Sequence, residues 1–182
     1  MNSSGGSAAE ALQRLTAGNE RFVRGEVTFT GLRREALLAL TAEQRPFATI
    51  LGYSDSRVPP ELIFDAGLGE LFVVRVAGNV FSPEIAGSLQ YAGSHLDTPL
   101  FVVLGHEGCG AVSTPLKTRD EGELHRSRIQ LLVERILPGA SDFDPSLSHA
   151  EKLAKAVESN VRSTVQLILD TPEDSFAKKK GA

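Results

Sequence analysis

Three short apolar runs punctuate the chain: FATILGY from Phe47, LFVVRVA from Leu71 and LFVVLGH from Leu100. Runs this short and continuous predict strands covered on both faces. Elsewhere the apolar positions follow helical spacing. Ala11, Leu12, Leu15, Phe22 and Val23 recur on one face ahead of Gly25, which predicts an amphipathic first helix with a glycine stop. LRREALLAL, over 32–40, predicts a second helix, closed off by Pro46. SPEIAGSLQYAGSHLD sets Ser82 as N-cap and Pro83 at the first helical position, with Ile85, Leu89, Ala92 and Leu96 facing a core. SRIQLLVERILPG predicts a helix ended by Pro138 and Gly139, and Ser148 with Glu151 forms a capping box. The long helix behind that box carries Leu153, Val157, Val161, Val165 and Ile168 as its apolar stripe. Strands separated by helices predict a parallel sheet in an α/β fold, with chemistry in the loops at the strand carboxyl ends.

A chain of 182 residues with 41% hydrophobic content suffices for one core and does not need two. The reading is a flexible tail over 1–7, a single domain over 8–171 and a polar tail over 172–182, with no internal repeat. A net charge of −4 argues against a nucleic-acid surface, and Lys178 to Lys180 read as a solvated tail. The one cysteine, Cys109, excludes an internal disulfide and suits a reducing compartment. No run approaches the length that spans a bilayer, and the first residues carry neither the basic nor the apolar region of a leader. The expected address is the cytoplasm.

Two loops carry candidate chemistry. His106 and Cys109, two residues apart in a glycine-flanked loop, let an imidazole and a thiolate converge on a tetrahedral cation such as zinc; a buried thiol beside a hydrogen-bonded histidine fits the same pattern. Asp55 and Arg57 share one turn, where the guanidinium could hold the carboxylate as a pure acceptor; a turn aspartate beside an unrelated surface arginine is the alternative. His95, His125 and His149 sit among polar neighbours and read as surface residues rather than proton shuttles. GLGEL lacks the lysine and helix of a nucleotide loop, and no GxSxG elbow occurs.

The order and spacing of YSDSR, RVAGN (Arg75 to Asn79) and HEGC, with the helix between the last two, resemble the β-carbonic anhydrase family over about residues 8–170. That resemblance implies a central, mainly parallel β-sheet flanked by helices, with an N-terminal helical arm that reaches over a partner subunit. It implies reversible hydration of CO2 to bicarbonate and a proton, with COS or CS2 as related linear substrates, in a homodimer or higher oligomer. In the family two cysteines and a histidine bind zinc, and a water or the aspartate takes the fourth position. Carried over, His106 and Cys109 are metal ligands, Asp55 and Arg57 the catalytic dyad, and Gln44 the substrate-binding glutamine. Phe72, Ala77 and Tyr91 fall where the family lines its CO2 pocket, and the Gly110 backbone N–H would donate to bicarbonate.

Two departures stand out. Tyr53 occupies the place of the first cysteine ligand, and a phenol with a pKa of about 10 is a poor zinc ligand beside a thiolate. Three readings follow. Zinc stays on His106, Cys109 and Asp55, with water or the Tyr53 oxygen as fourth ligand; or no metal binds and the Tyr53 hydroxyl joins Asp55, Arg57 and Gln44 around an anion or water; or activity is lost and the fold serves as an anion-binding or assembly module. The second departure is at the end, where LDTPEDSFAKKKGA replaces the strand that family members carry past the last long helix.

Overall fold

A computed structural model describes residues 6–28, 37–38, 40–122, 125–136, 138 and 143–172, with the backbone alone for 120 and 121. Helix α1, Ala8–Arg24, starts at a capping box between Ser7 and Glu10 and stops at Gly25, whose φ of 71° closes the last turn. Strand β1, Ala48–Gly52, follows Pro46, and the four-residue helix α2, Pro60–Ile63, comes after its carboxyl end. Strand β2, Leu71–Arg75, leads into a 3₁₀ turn, Ala77–Asn79. Helix α3, Pro83–His95, has Ser82 as its N-cap, and strand β3 is Phe101–Leu104. Three further helices complete the order: α4, Gly110–Glu121; α5, Ile129–Ile136; and α6, His149–Leu169, the last opened by the Ser148–Glu151 capping box. The helix expected over 32–40 lies largely outside the described residues, as does the polar tail beyond 172.

The sheet is parallel, in the order β2-β1-β3, with Thr49 opposite both Phe72 and Phe101. Consecutive strand side chains point to opposite faces, so β1 feeds two cores. On one face Ala48 and Ile50 pack with Leu15 of α1, Ala66 and Leu71. The second core, around Val112, Leu116, Ile136, Ala156 and Val157 of the last three helices, takes in Tyr53 and Cys109. The chain's candidate chemistry therefore grows directly out of this second core.

Two sequence expectations need correction. All five positions of β1 are buried, but β2 and β3 are only half-buried, because each has a neighbouring strand on one side alone. The apolar stripe of α6 is also displaced. Val165 is exposed, whereas Asn160 and Thr164 are buried alongside Val157. The helix turns its polar positions inward because they find partners in the 77–79 turn.

Candidate active site

Parallel strands deliver their loops to one edge, and β1, β2 and β3 deliver residues 53–57, 76–79 and 105–109 to it. At the end of β1, Asp55 is gripped by Arg57. The guanidinium donates from Nε to Oδ1 at 2.8 Å and from Nη2 to Oδ2 at 2.7 Å, and the Arg57 backbone N–H adds a bond to Oδ1 at 3.0 Å. This two-pronged pairing holds the Asp55 carboxyl far below the usual carboxylate range, the Arg57 side-chain bonds being the largest cause. Asp55 therefore acts as an acceptor only. Arg75, the last residue of β2, fixes the loop from beneath, donating to the carbonyls of Tyr53 at 2.9 Å and Asp55 at 2.5 Å.

The third loop brings His106 to the same place, its Nε2 3.5 Å from Asp55 Oδ2. His106 Nδ1 lies 2.8 Å from the Glu107 carbonyl, which can only accept, so Nδ1 is the donor there and, in the neutral ring, Nε2 presents a lone pair. That Nε2 is buried and has no hydrogen-bond partner among the described residues. Two acceptors, Oδ2 and Nε2, thus face one spot. Cys109 is the N-cap of α4 and is buried. Burial pushes its thiol pKa up, opposed by the backbone N–H groups of Val112 and Ala111 at the start of the helix.

Tyr53 is 2% exposed, and its ring meets His106 edge-on with centroids 5.1 Å apart. Its hydroxyl accepts from Asn160 Nδ2 at 3.2 Å. Burial pushes the phenol up to about 12, so it stays neutral. Asn160 Nδ2 also lies 2.8 Å from the Gly78 carbonyl and 2.7 Å from Asn79 Oδ1, so its two hydrogens are shared among three acceptors. The sequence reading missed Asn160. Its signal was a carboxamide between Val157 and Thr164 on the core-facing side of a helix, where a polar group persists only with partners. The hydrogen bond the Tyr53 hydroxyl makes here is to Asn160, a partner outside the set of Asp55, Arg57 and Gln44 expected from the sequence.

Among the other residues singled out, Ala77 opens the turn beside the site and Gly110 is the first residue of α4. Gln44 is exposed and precedes β1, at the opposite end of that strand from Asp55. Phe72 and Tyr91 pack on one another, 6.2 Å between centroids, and Tyr91 stacks on His95 at the surface. His149 is likewise exposed, while His125 is half-buried.

A catalytic zinc takes three protein ligands and keeps one position open. Among the described residues, no three His, Cys, Asp or Glu side chains converge closely enough to hold an ion. His106 and Asp55 converge, but Asp55 is committed to Arg57 and the oxygen of Tyr53 to Asn160. The donor set does not fit a zinc site with three protein ligands.

A model of the carbonic anhydrase family matches residues 48–181. A carbonic anhydrase of Mycolicibacterium smegmatis is 45% identical over 128 residues, and carbonic anhydrase 2 of Mycobacterium tuberculosis is 44% identical over the same length. In both cases the match covers 70% of this chain and 62% of the relative, so the chain spans less than two thirds of these relatives' length. A β-carbonic anhydrase from Sordaria macrospora, one of two described as tetrameric, superposes with a TM-score of 0.68 over 90% of this chain and 80% of its own, at 21% identity. The family match over most of the chain and the shared architecture lead to one conclusion: the chain belongs to the carbonic anhydrase family and has the fold of its β class.

Proposed function

We propose that the chain catalyses the reversible hydration of CO2 to bicarbonate and a proton, with Asp55, Arg57 and His106 as its working residues and Tyr53 standing where the family places a metal-binding thiolate. The observation that carries this reading is the convergence of Asp55 Oδ2 and His106 Nε2, 3.5 Å apart, on one spot. Of the four lone-pair directions of the carboxylate, Arg57 occupies three, and the remaining one on Oδ2 faces His106. A water there gives one O–H to Asp55 and the other to Nε2, which leaves an oxygen lone pair for the carbon of CO2. As the C–O bond forms, the proton passes to Nε2, and the loop carrying His106 must open for that buried nitrogen to release it to buffer as bicarbonate leaves. Cys109 and Gly110 open α4, whose positive end would favour a developing anion brought to it.

General-base assistance of this kind is worth about 10²–10⁴. Family relatives are typically zinc-dependent, and this chain is proposed to differ in its metal demand because its donor set is one short. Weak hydration is therefore the expected activity. A purely anion-binding or assembly role is the second reading, favoured by the commitment of the Tyr53 oxygen to Asn160; COS and CS2 are further candidate substrates. Gln44, Phe72 and Tyr91 lie away from Asp55 within one chain, so they reach a substrate site only through a second copy, in a homodimer or higher oligomer. The cytoplasm is the proposed location.

Stopped-flow CO2 hydration with a pH indicator, alongside metal analysis of the same protein, tests the proposal. Hydration above the buffer rate should be lost in Asp55→Asn and in His106→Gln. A wild-type rate equal to buffer, with bicarbonate still bound, would instead establish the non-catalytic reading.

A further inference from the structure

We infer that Tyr53 and Asn160 form a matched pair that fastens the loop carrying Asp55 to helix α6, and that this pair makes the architecture of the site independent of any metal. The inference concerns how the site is held together and does not rest on whether it hydrates CO2.

The geometry is specific. Tyr53 leaves β1 on the face of Thr49 and Leu51 and enters the core of the last three helices, where it is 2% exposed. Its hydroxyl reaches across the end of β3; a Cβ added at Gly105 would lie 3.6 Å from that oxygen and only 2.7 Å from Val161 Cγ2. Helix α6 is thus pressed against the strand end at the point where the phenol meets Asn160. Asn160, 3% exposed, ties the same point to the carbonyl of Gly78 and the side chain of Asn79, and Thr164 Oγ1 bonds the Asn79 carbonyl at 3.3 Å. Three segments distant in sequence, the Tyr53 loop, the 77–79 turn and α6, therefore meet at one carboxamide.

A metal held by ligands from two loops cross-links those loops and stabilises the fold by its binding energy. In this chain the phenol and the carboxamide supply a different cross-link, from the same Tyr53 loop to α6 and the 77–79 turn rather than to the 106–109 loop. A cysteine at position 53 is several ångströms too short to reach Asn160, so the carboxamide is matched to a phenol and to no thiolate. The phenol and the carboxamide are paired with one another without an ion, while His106 Nε2 and Asn79 Nδ2 stay unpartnered among the described residues.

Thermal melting of the full chain by circular dichroism, with chelator, with zinc and with cobalt(II), tests the pairing without any measurement of catalysis. The wild-type melting temperature should be the same in all three, and cobalt should give no thiolate charge-transfer band. Tyr53→Cys should gain that band and melt higher with metal than with chelator. A wild-type melt that falls in chelator, or a wild-type charge-transfer band, overturns the inference. Should Tyr53→Cys fail to fold, Tyr53→Phe decides: it should lower the melting temperature by a few degrees in the wild-type background and leave it unchanged in an Asn160→Ala background. Equal losses in the two backgrounds would show that the residues act separately.

Discussion

Among the described residues, Asp55 and Asp65 are the aspartates drawn furthest below the ordinary carboxylate range, and they serve different ends. Asp55 is turned toward His106, whereas Asp65, with φ of 44° and a side chain 1% exposed, faces α1. Arg21 donates to Asp65 at 2.6 Å, and Thr28 donates from both its backbone N–H and its hydroxyl. These contacts, the Arg21 bond foremost, lower its pKa to about 2. An unfolded aspartate binds its proton near pH 4. The stabilisation is therefore complete above about pH 4 and is lost as the pH falls toward about 2. Asp65→Asn should melt below the wild type at neutral pH, and the gap between the two should close in melts run from pH 4 down to 2; a constant gap would disprove the assignment. The Asp55–Arg57 pair and the His106–Cys109 loop could be read from sequence because their members are neighbours along the chain. Asn160 could not, since its partners lie 81 to 107 residues away. The direction of the Tyr53 hydroxyl was hidden for a related reason: strand alternation sends it toward α6, and that face is defined only once the helices pack.

At the scale of elements, the punctuation of the chain was readable because it is local. Ser82 with Pro83, the Ser148–Glu151 box and Gly25 act through atoms within a few residues, and each stands where the sequence reading placed it. Long-range packing was not readable, and the docking of α1 shows why. Gly18 lies buried mid-helix, where Gly→Ala ordinarily stabilises by about 0.5–1 kcal/mol. Here an added Cβ would fall 1.8 Å from the carbonyl oxygen of Phe64. Nearby, Asn19 Nδ2 donates to the Ile63 carbonyl at 3.2 Å, and Arg14 pairs with Glu70. Gly18→Ala should therefore destabilise the protein, with α1 amides exchanging faster while those of β1 stay protected. A rise in melting temperature would mean that α1 sits more loosely than this contact requires.

At the scale of the whole molecule, the parallel sheet and its flanking helices follow from the alternation of apolar runs and helical stripes, which is why the fold class could be inferred before the packing was seen. The consequence of having three strands in the described sheet could not. With β1 in the middle, β2 and β3 keep a half-open side, and Leu12, Phe22 and Val23 of α1, Tyr91 of α3 and Leu169 of α6 remain exposed. Exposed apolar residues scattered singly are ordinary, but Leu12, Phe22 and Val23 share one helix, the arm proposed to reach a second copy. Sedimentation velocity should accordingly show a dimer or larger species at micromolar concentration, and a monomer there would rule out a substrate site that needs Gln44 and Tyr91 from a second copy. The central strand carries one more implication. Its alternate side chains pack toward α1 on one face and toward the helices around Tyr53 on the other, so the arm and the candidate site share one footing. Loosening α1 alone, with β1 still protected, should therefore spare the Asp55 loop, whereas a change that opens β1 should release both faces through the five shared residues Ala48–Gly52.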